Sequence, residues 1–209
     1  MSNQDHWNHI YTTRSSRDVS WYAPHLGRSL EFIARAAAGT DAAIIDIGAG
    51  ASTLADDLLD RGYRRLTLLD ISEAALAVAR TRLAADAGHL HWLVGDITSV
   101  ALPAQAYDVW HDRAAFHFLR EAGQREAYVD QLRRALRPGG QAVIATFADD
   151  GPERCSGLPV VRYGPAALAA ALGPAFVLEE TAFEDHHVPS GAVQKFLYCR
   201  FRYEGWAAA

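Results

Sequence analysis

Residues 43–53 read AIIDIGAGAST, an apolar β-branched run that meets an acid at Asp46 and then opens into two glycines, Gly48 and Gly50. Such a run favours a strand, and glycines directly after it favour a tight turn into a helix. Outward from this stretch the alternation repeats. STLADDLLDRG (52–62) has helical spacing and closes on Gly62, and RRLTLLD (64–70) is a second strand ending at Asp70. SEAALAVARTRLAADAG (72–88) is a helix capped by Ser72, with Leu76, Ala79 and Leu83 facing inward, and HLHWLVGD (89–96) is a strand ending at Asp96. AYDVWHD (106–112) is a fourth strand, EAGQREAYVDQLRRALRPGG (121–140) a helix stopped by Pro138 and two glycines, and QAVIATFA (141–148) a fifth strand.

Upstream, PHLGRSLEFIARAAA (24–38) places Leu26, Leu30, Ile33 and Ala37 on one helical face behind a proline suited to a first turn. Each of the five strands is apolar on both faces, the pattern of a parallel sheet covered by helices on both sides. The tail differs. FVLEETAFED (176–185) and QKFLYCRFRY (194–203) are joined only by HHVPSGAV (186–193), too short for a crossover, so they pair antiparallel. Residues 149–165, DDGPERCSGLPVVRYGP, form a long loop over a site. The expected fold is α/β, a doubly wound, Rossmann-like sheet in one domain of 209 residues. Within it, residues 1–40 form an N-terminal lid and helix, 41–148 a cofactor-binding core, and 149–209 a lid loop, a helix and the final strand pair.

The formal net charge of -5 gives no basic field for nucleic acid. No apolar stretch reaches the roughly 18 residues of a membrane span. Cys155 and Cys199 are too few for a disulfide framework, and MSNQDHWNHIYTT is no secretory signal, so a reducing cytoplasm is expected. Lys195 is the only lysine. The histidine pairs His6/His9, His89/His91 and His186/His187 lack a third ligand at a standard spacing, so no metal site is expected. A monomer or homodimer fits the chain, and beyond the terminal AAA it has no low-complexity segment.

In such sheets ligands bind at the carboxyl ends of the strands, so Asp46, Asp70, Asp96 and the WHD of the fourth strand converge on one crevice. A dinucleotide is the first candidate, since Gly48 and Gly50 give G-x-G and Asp70 lies about 20 residues further on. Two features oppose it. Thr53 stands where the third glycine belongs, and an acid at Asp46 is a poor neighbour for a pyrophosphate. S-adenosylmethionine meets both objections, because it has no phosphate and its amino group and sulfonium are cationic. Gly48 and Gly50 then let the backbone approach the methionine moiety, Asp70 accepts ribose hydroxyls and Asp96 accepts from the adenine amine.

With IIDIGAG, LTLLDIS, LVGDI, YDVWHD and LRPGG in order, the chain resembles class I S-adenosylmethionine-dependent methyltransferases from about residue 40 to 148. The resemblance implies a seven-stranded sheet with the last strand antiparallel, and Ile71 and Ile97 against the adenine. YDVWHDRAAFHFL (107–119), with Trp7, Tyr11 and Trp21 in HWNHIYTTRSSRDVSWY (6–22), looks like two narrower groups. These are the thiopurine and thiol methyltransferases and the elongation-factor and citrate-synthase lysine methyltransferases. His111, Phe116 and His117 depart from both.

Methyl transfer from a sulfonium is an in-line displacement in which positioning supplies most of the catalysis. Asp112 is the expected orienting group, His117 a possible base, and Arg113 their neighbour; a structural Asp112–Arg113 contact is the alternative. Trp21 and Tyr22 form a lid, with ordinary edge packing as the alternative, and Arg14 meets a carboxylate or is simply solvated. His186 and His187 line the acceptor pocket or lie exposed in a loop. Cys155 is expected to be inert, and the remaining aromatics to be core, with Tyr163 in the long loop as the expected exception. The expected function is methyl transfer to a small organic acceptor; a protein lysine methyltransferase and a noncatalytic binding module are the alternatives.

Overall fold

The computed structural model describes residues 3–188 and 191–205. The chain runs α1 (Asn3–Thr13), α2 (Gly27–Ala36), β1 (Ile44–Ile47), α3 (Leu54–Asp60), β2 (Leu66–Asp70), α4 (Glu73–Arg82), β3 (His91–Val94) and β4 (Tyr107–Arg113). It continues through α5 (Ala122–Ala135), β5 (Leu136–Phe147), the two-residue strands β6 (Arg154–Cys155) and β7 (Leu158–Pro159), α6 (Pro165–Leu172), β8 (Phe176–His187) and β9 (Val193–Tyr203). Seven strands form one sheet in the order β3-β2-β1-β4-β5-β9-β8, and β6 and β7 form a separate hairpin. The first five strands are parallel, and β9 runs antiparallel to both β5 and β8. The expected seven-stranded, mostly parallel sheet with a reversed last strand is therefore present.

Strand alternation divides the core. Ile44 of β1 and Val109 of β4 pack with Leu30 and Ile33 of α2, Leu58 of α3 and Leu76 of α4. Ile45 and Ile47 face the opposite layer, where Trp110, Tyr128 and Leu132 of α5 and Leu168 of α6 gather. Ser72 caps α4 by accepting the Ala75 amide at 3.1 Å, and Leu76, Ala79 and Leu83 are buried as the spacing required. Gly62, with φ +92°, turns the chain out of α3.

Several expectations change. The helix at 24–38 covers only Gly27–Ala36, so Pro24 lies outside its first turn. Residues 3–13, expected only as part of a lid, form α1. Helix α5 ends at Ala135, and LRPGG opens β5, where Arg137 pairs with Asp108 of β4. The residue before a proline avoids helical geometry, so Pro138 ends the helix earlier than its own position. Strand β3 is not covered on both faces: it is the sheet edge, and Val94 there is 45% exposed. His186 and His187 close β8 and are not loop residues, and the loop at 149–165 contains the β6–β7 hairpin. Pro189 and Ser190 of the expected connection, and the terminal AAA, lie outside the described residues.

The strand order reverses between β1 and β4, and the chain leaves β1 through Gly48 and Gly50 with φ of +67° and +53°. A Cβ at Gly48 would stand 2.9 Å from the Cβ of Ala115, just beyond β4. Left-handed backbone and this clash together should make Gly48→Ala cost about 1–3 kcal/mol in urea unfolding. Gly39→Ala, where a Cβ meets nothing within 4 Å, should cost far less.

Candidate active site

At the carboxyl ends of the parallel strands a cleft open to solvent is lined by Gly48, Asp70, Ile71, Asp96 and Ile97, together with Trp21 and Arg113. A smaller, tighter pocket adjoins it and is lined by Asp46, Ser52, His111 and Tyr22. Tyr11, Trp21, Gly48 and Arg113 border both. The cleft thus gathers most residues that the sequence singled out for a cofactor.

Its carboxylates are held in different ways. Asp70 accepts the Gly50 amide at 2.9 Å and the Ser72 amide at 2.7 Å. Burial nevertheless pushes its pKa up to about 6, against the lowering by those amides. Asp96 is half-buried and uses one oxygen to accept both the amide and the hydroxyl of Thr98, which shapes the turn after β3. Asp46 is paired within the protein: its carboxylate meets His111 Nδ1 at 2.7 Å. The pair follows from register, since Asp46 and His111 are direct neighbours across β1 and β4.

From His111 the chain of contacts continues. Nε2 lies 2.9 Å from Ser29 Oγ, which lies 3.2 Å from Tyr198 Oη, and Arg113 Nε donates to that hydroxyl at 3.0 Å. Asp46, His111 and Ser29 have the connectivity of a hydrolytic triad. Ser29 is fully buried and engaged by Tyr198, so no substrate reaches it and the set works as a positioning chain.

Gly50 departs from its expected place. It does not line either chamber; its bare face accepts the ring of Tyr11, whose hydroxyl would lie 2.7 Å from a Cβ there. Burial and the charge of Asp70 push the Tyr11 phenol upward, so it stays neutral. Only Gly48 remains exposed in the cleft.

Beyond β4 the three residues expected to be catalytic separate. Neighbours along a strand point to opposite faces, so Asp112 and Arg113 cannot share a partner. Asp112 turns toward α5, is 0% exposed, and accepts the amides of Ala115 and Phe116 and the hydroxyl of Tyr128 at 2.8 Å. It anchors the turn that carries Ala114 and Ala115 into the cleft, and neither an orienting contact nor an Asp112–Arg113 contact is formed. His117 is also fully buried, between Phe118 and Phe147, and its Nδ1 accepts the Phe147 amide at 3.4 Å. Burial, aided by the charge of Arg113, pushes its pKa down to about 3. It is neutral but does not line the cleft, so in this arrangement it cannot reach an acceptor. Arg113 is the one of the three that lines both chambers.

The cover over the cleft comes from α1 and the segment after it. Gln4 donates to the Ile71 carbonyl at 3.1 Å, and Asn8 accepts the Ser72 hydroxyl at 2.8 Å, which fixes α1 on the turn between β2 and α4. Trp21 donates to Tyr11 at 3.2 Å and stacks edge-on against Trp7 at 5.6 Å; Trp7 meets Phe118 at 5.2 Å. Tyr22 borders only the smaller chamber. Arg14 is exposed and lines neither chamber. His186 is buried and pinned to the Ser20 carbonyl at 2.9 Å, His187 is exposed, and neither lines the cleft. Cys155 does line it, with its thiol pushed up to about 12 by burial. Tyr163 is not an exception to the core; it packs on Phe116. Among the described residues no cluster could hold a metal, and no helix is long and apolar enough to cross a membrane.

Sequence reasoning placed His111 in the crevice through the WHD of the fourth strand but missed its pairing with Asp46, and it missed Ser29 and Tyr198. Ser29, His111 and Tyr198 come from α2, β4 and β9, and no local signal links them. It also missed Gln4 and Asn8, whose helical i, i+4 spacing was the available clue.

The strand order, the reversed β9 and a cleft at the β1/β4 switch define the fold of S-adenosylmethionine-dependent methyltransferases. Residues 44–140, a little under half of the chain, match the methyltransferase domain family, and the fold is that of class I S-adenosylmethionine-dependent methyltransferases. Over 143 residues it is 27% identical to an eEF1A lysine and N-terminal methyltransferase homologue of Drosophila pseudoobscura pseudoobscura, covering 66% of this chain and 21% of that protein. The first curated relatives are longer, and the chain spans 21% to 46% of their length. Among solved structures, one from a study of disulfide-to-thioacetal conversion in echinomycin biosynthesis superposes with a TM-score of 0.79 at 20% identity, covering 99% of this chain and 94% of that one. The N-methyltransferase NodS of Bradyrhizobium japonicum, solved with S-adenosylhomocysteine, gives 0.73 at 19% identity, covering 95% and 99%. At these identities the likeness is one of fold.

Burial likewise pushes Asp112 up to about 6 from 3.8. The folded state therefore holds a proton that the unfolded state has released between those values. The contribution of Asp112 to stability is greatest below about pH 4 and is lost as pH rises through about 6, an effect of roughly 3 kcal/mol. Asp112→Asn, neutral throughout, should lose correspondingly less stability than wild type between pH 4.5 and 7, measured by urea unfolding at each pH.

Proposed function

We propose that the protein transfers a methyl group from S-adenosylmethionine to a small organic acceptor carrying a sulfur, nitrogen or oxygen nucleophile. One observation carries this reading: the acidic cleft and the smaller chamber meet at Gly48 beneath a roof of Trp7, Tyr11, Trp21 and Phe118. The donor side is built for a compound with hydroxyl and amine donors and a positive charge. Asp70 and Asp96 would take the ribose hydroxyls and the adenine amine, with Ile71 and Ile97 beside the base. Asp46 would attract the amino group while His111 holds its carboxylate in place. These assignments fit a buried carboxylate such as Asp70, which gains from neutral donors.

When bound, S-adenosylmethionine supplies an activated methyl whose carbon–sulfur bond breaks as the acceptor's lone pair forms the new bond, leaving a neutral thioether. The chain's own residues then need only position and exclude water. The aromatic roof does both, and its faces suit a cation. With Asp112 and His117 engaged in the fold, an acceptor that needs no protein base, such as a thiolate, is favoured. Residues 1–40 would act as lid and helix, 41–148 as cofactor core and 149–209 as lid loop, helix and final strand pair. Two free buried cysteines, Cys155 and Cys199, accord with a reducing, cytoplasmic setting.

A second reading, transfer to a protein lysine, is favoured by the similarity to the eEF1A methyltransferase homologue over two-thirds of the chain. A screen of thiols, amines, carboxylates and whole-cell protein extract with labelled methyl donor separates the two. Label in a small molecule supports the first reading, and label in protein supports the second. Calorimetry should show binding of S-adenosylhomocysteine and none of nicotinamide or flavin dinucleotides; the reverse pattern would overturn the proposal.

The raised pKa of Asp70 adds a pH signature. Ribose donors stabilise the ionised carboxylate, so binding releases its proton below about pH 6. Affinity for S-adenosylhomocysteine should rise with pH up to about 6 and then level off. In Asp70→Asn it should be weaker by tenfold or more and independent of pH across that range.

A further inference from the structure

Arg82 sits in the last turn of α4 and lines neither chamber. It reaches instead to the loop that leaves β1. Nη1 donates to the Ala51 carbonyl at 3.0 Å and Nη2 to the Ser52 carbonyl, while Nε and Nη2 fork onto the Asp56 carboxylate in the first turn of α3 at 2.8 and 2.9 Å. All three nitrogens are engaged. The ion pair with Asp56 is 30% exposed on both sides and adds little stability by itself. The two carbonyl contacts have another consequence, because they fix backbone geometry in a loop that carries Gly48 and Gly50. Arg80, from the same turn of the helix, packs over the Trp92 ring at 5.0 Å.

What they fix is a turn. The Ser52 amide donates to the Ala49 carbonyl at 3.0 Å, with Gly50 at φ +53° between them. A trans peptide is planar, with its N–H and C=O on opposite sides, so the plane joining Ala51 to Ser52 is pinned at both ends. Ala49 holds its amide from within the turn, and Arg82 holds its carbonyl from outside. Ala49, Ala51 and Ser52 line the smaller chamber beside Asp46. A glycine next to this plane offers little resistance to rotation, so the outer clamp is what keeps the wall in one shape. We propose that Arg82 is a positioning residue for methyl transfer, holding this turn from behind so that the smaller chamber receives the amino-acid end of the methyl donor. The inference rests on the methyltransferase reading. The adenosine side is anchored separately, since Asp70 also accepts the Ser72 amide and Asp96 the Thr98 amide.

The test compares two ligands by calorimetry: S-adenosylhomocysteine, and methylthioadenosine, which keeps the adenosine and the sulfur but has no amino-acid end. In Arg82→Met, affinity for S-adenosylhomocysteine should fall about tenfold or more while that for methylthioadenosine changes less than about twofold. Arg82→Lys, which keeps the charge without the planar fork, should lie between wild type and Arg82→Met. Asp56→Asn, which leaves both carbonyl contacts, and Arg80→Met, which leaves the whole clamp, should keep the wild-type ratio of the two affinities. Should Arg82→Met fail to fold, Arg82→Lys against Asp56→Asn carries the same comparison. A merely structural Arg82 would lower the urea midpoint of Arg82→Met and leave the ratio unchanged. That result, equal losses for both ligands, or a wild type indifferent to the amino-acid end overturns the inference while sparing the methyltransferase reading. No binding of either adenosyl compound by wild type overturns both.

Discussion

The contact on which the site depends is the one between Asp46 and His111, neighbours across the two central strands where the strand order reverses. A carboxylate only 5% exposed needs a partner, and β4 supplies one at the same level of the sheet. Because the imidazole has a second nitrogen, the pairing extends to Ser29 on α2, and from there to Tyr198 on β9 and Arg113. Four elements are thereby referenced to one another beside the smaller chamber, and the positions of Asp46 and Arg113 become linked.

Burial has two outcomes here. Asp70 and Asp112 are both pushed up to about 6 by desolvation. Asp112 answers to the fold, since two turn amides and Tyr128 surround it and Trp110 in turn donates to Tyr128 at 2.8 Å. Asp70 lines the cleft and has only two backbone amides, so donors from a ligand add to its stabilisation. Similar perturbations thus mark an internal anchor in one case and a cleft-lining carboxylate in the other, and what tells them apart is access. His117 makes the same point with the opposite sign, neutral through burial and out of reach.

The cover is as much a part of the site as its floor. Helix α1 is fastened through Gln4 and Asn8 to the turn that follows Asp70, so covering the cleft and shaping its wall beside Asp70 are one event. Tyr11 fills the space that the missing side chain of Gly50 leaves. One glycine of the pair therefore serves the lid, and Gly48 serves the cleft.

The sheet and the acids at its carboxyl edge were legible in the sequence because they depend on local periodicity. Apolar β-branched runs, helical spacing between them, and an acid at the end of each of the first three strands place Asp46, Asp70 and Asp96 on one side of the sheet whatever else the chain does. Local pattern also separates parallel strands from the antiparallel tail. It does not say which of two adjacent strand residues enters a cavity, because both faces of a central strand are covered. Thus Asp112 and His117 looked equivalent to Arg113, and only packing against α5 and Phe147 withdrew them from the cleft. The Asp46–His111–Ser29–Tyr198–Arg113 chain and the seating of Tyr11 on Gly50 join residues distant in sequence. Tertiary structure alone decides such contacts, since they exist only once register and helix docking have brought the side chains within hydrogen-bonding distance.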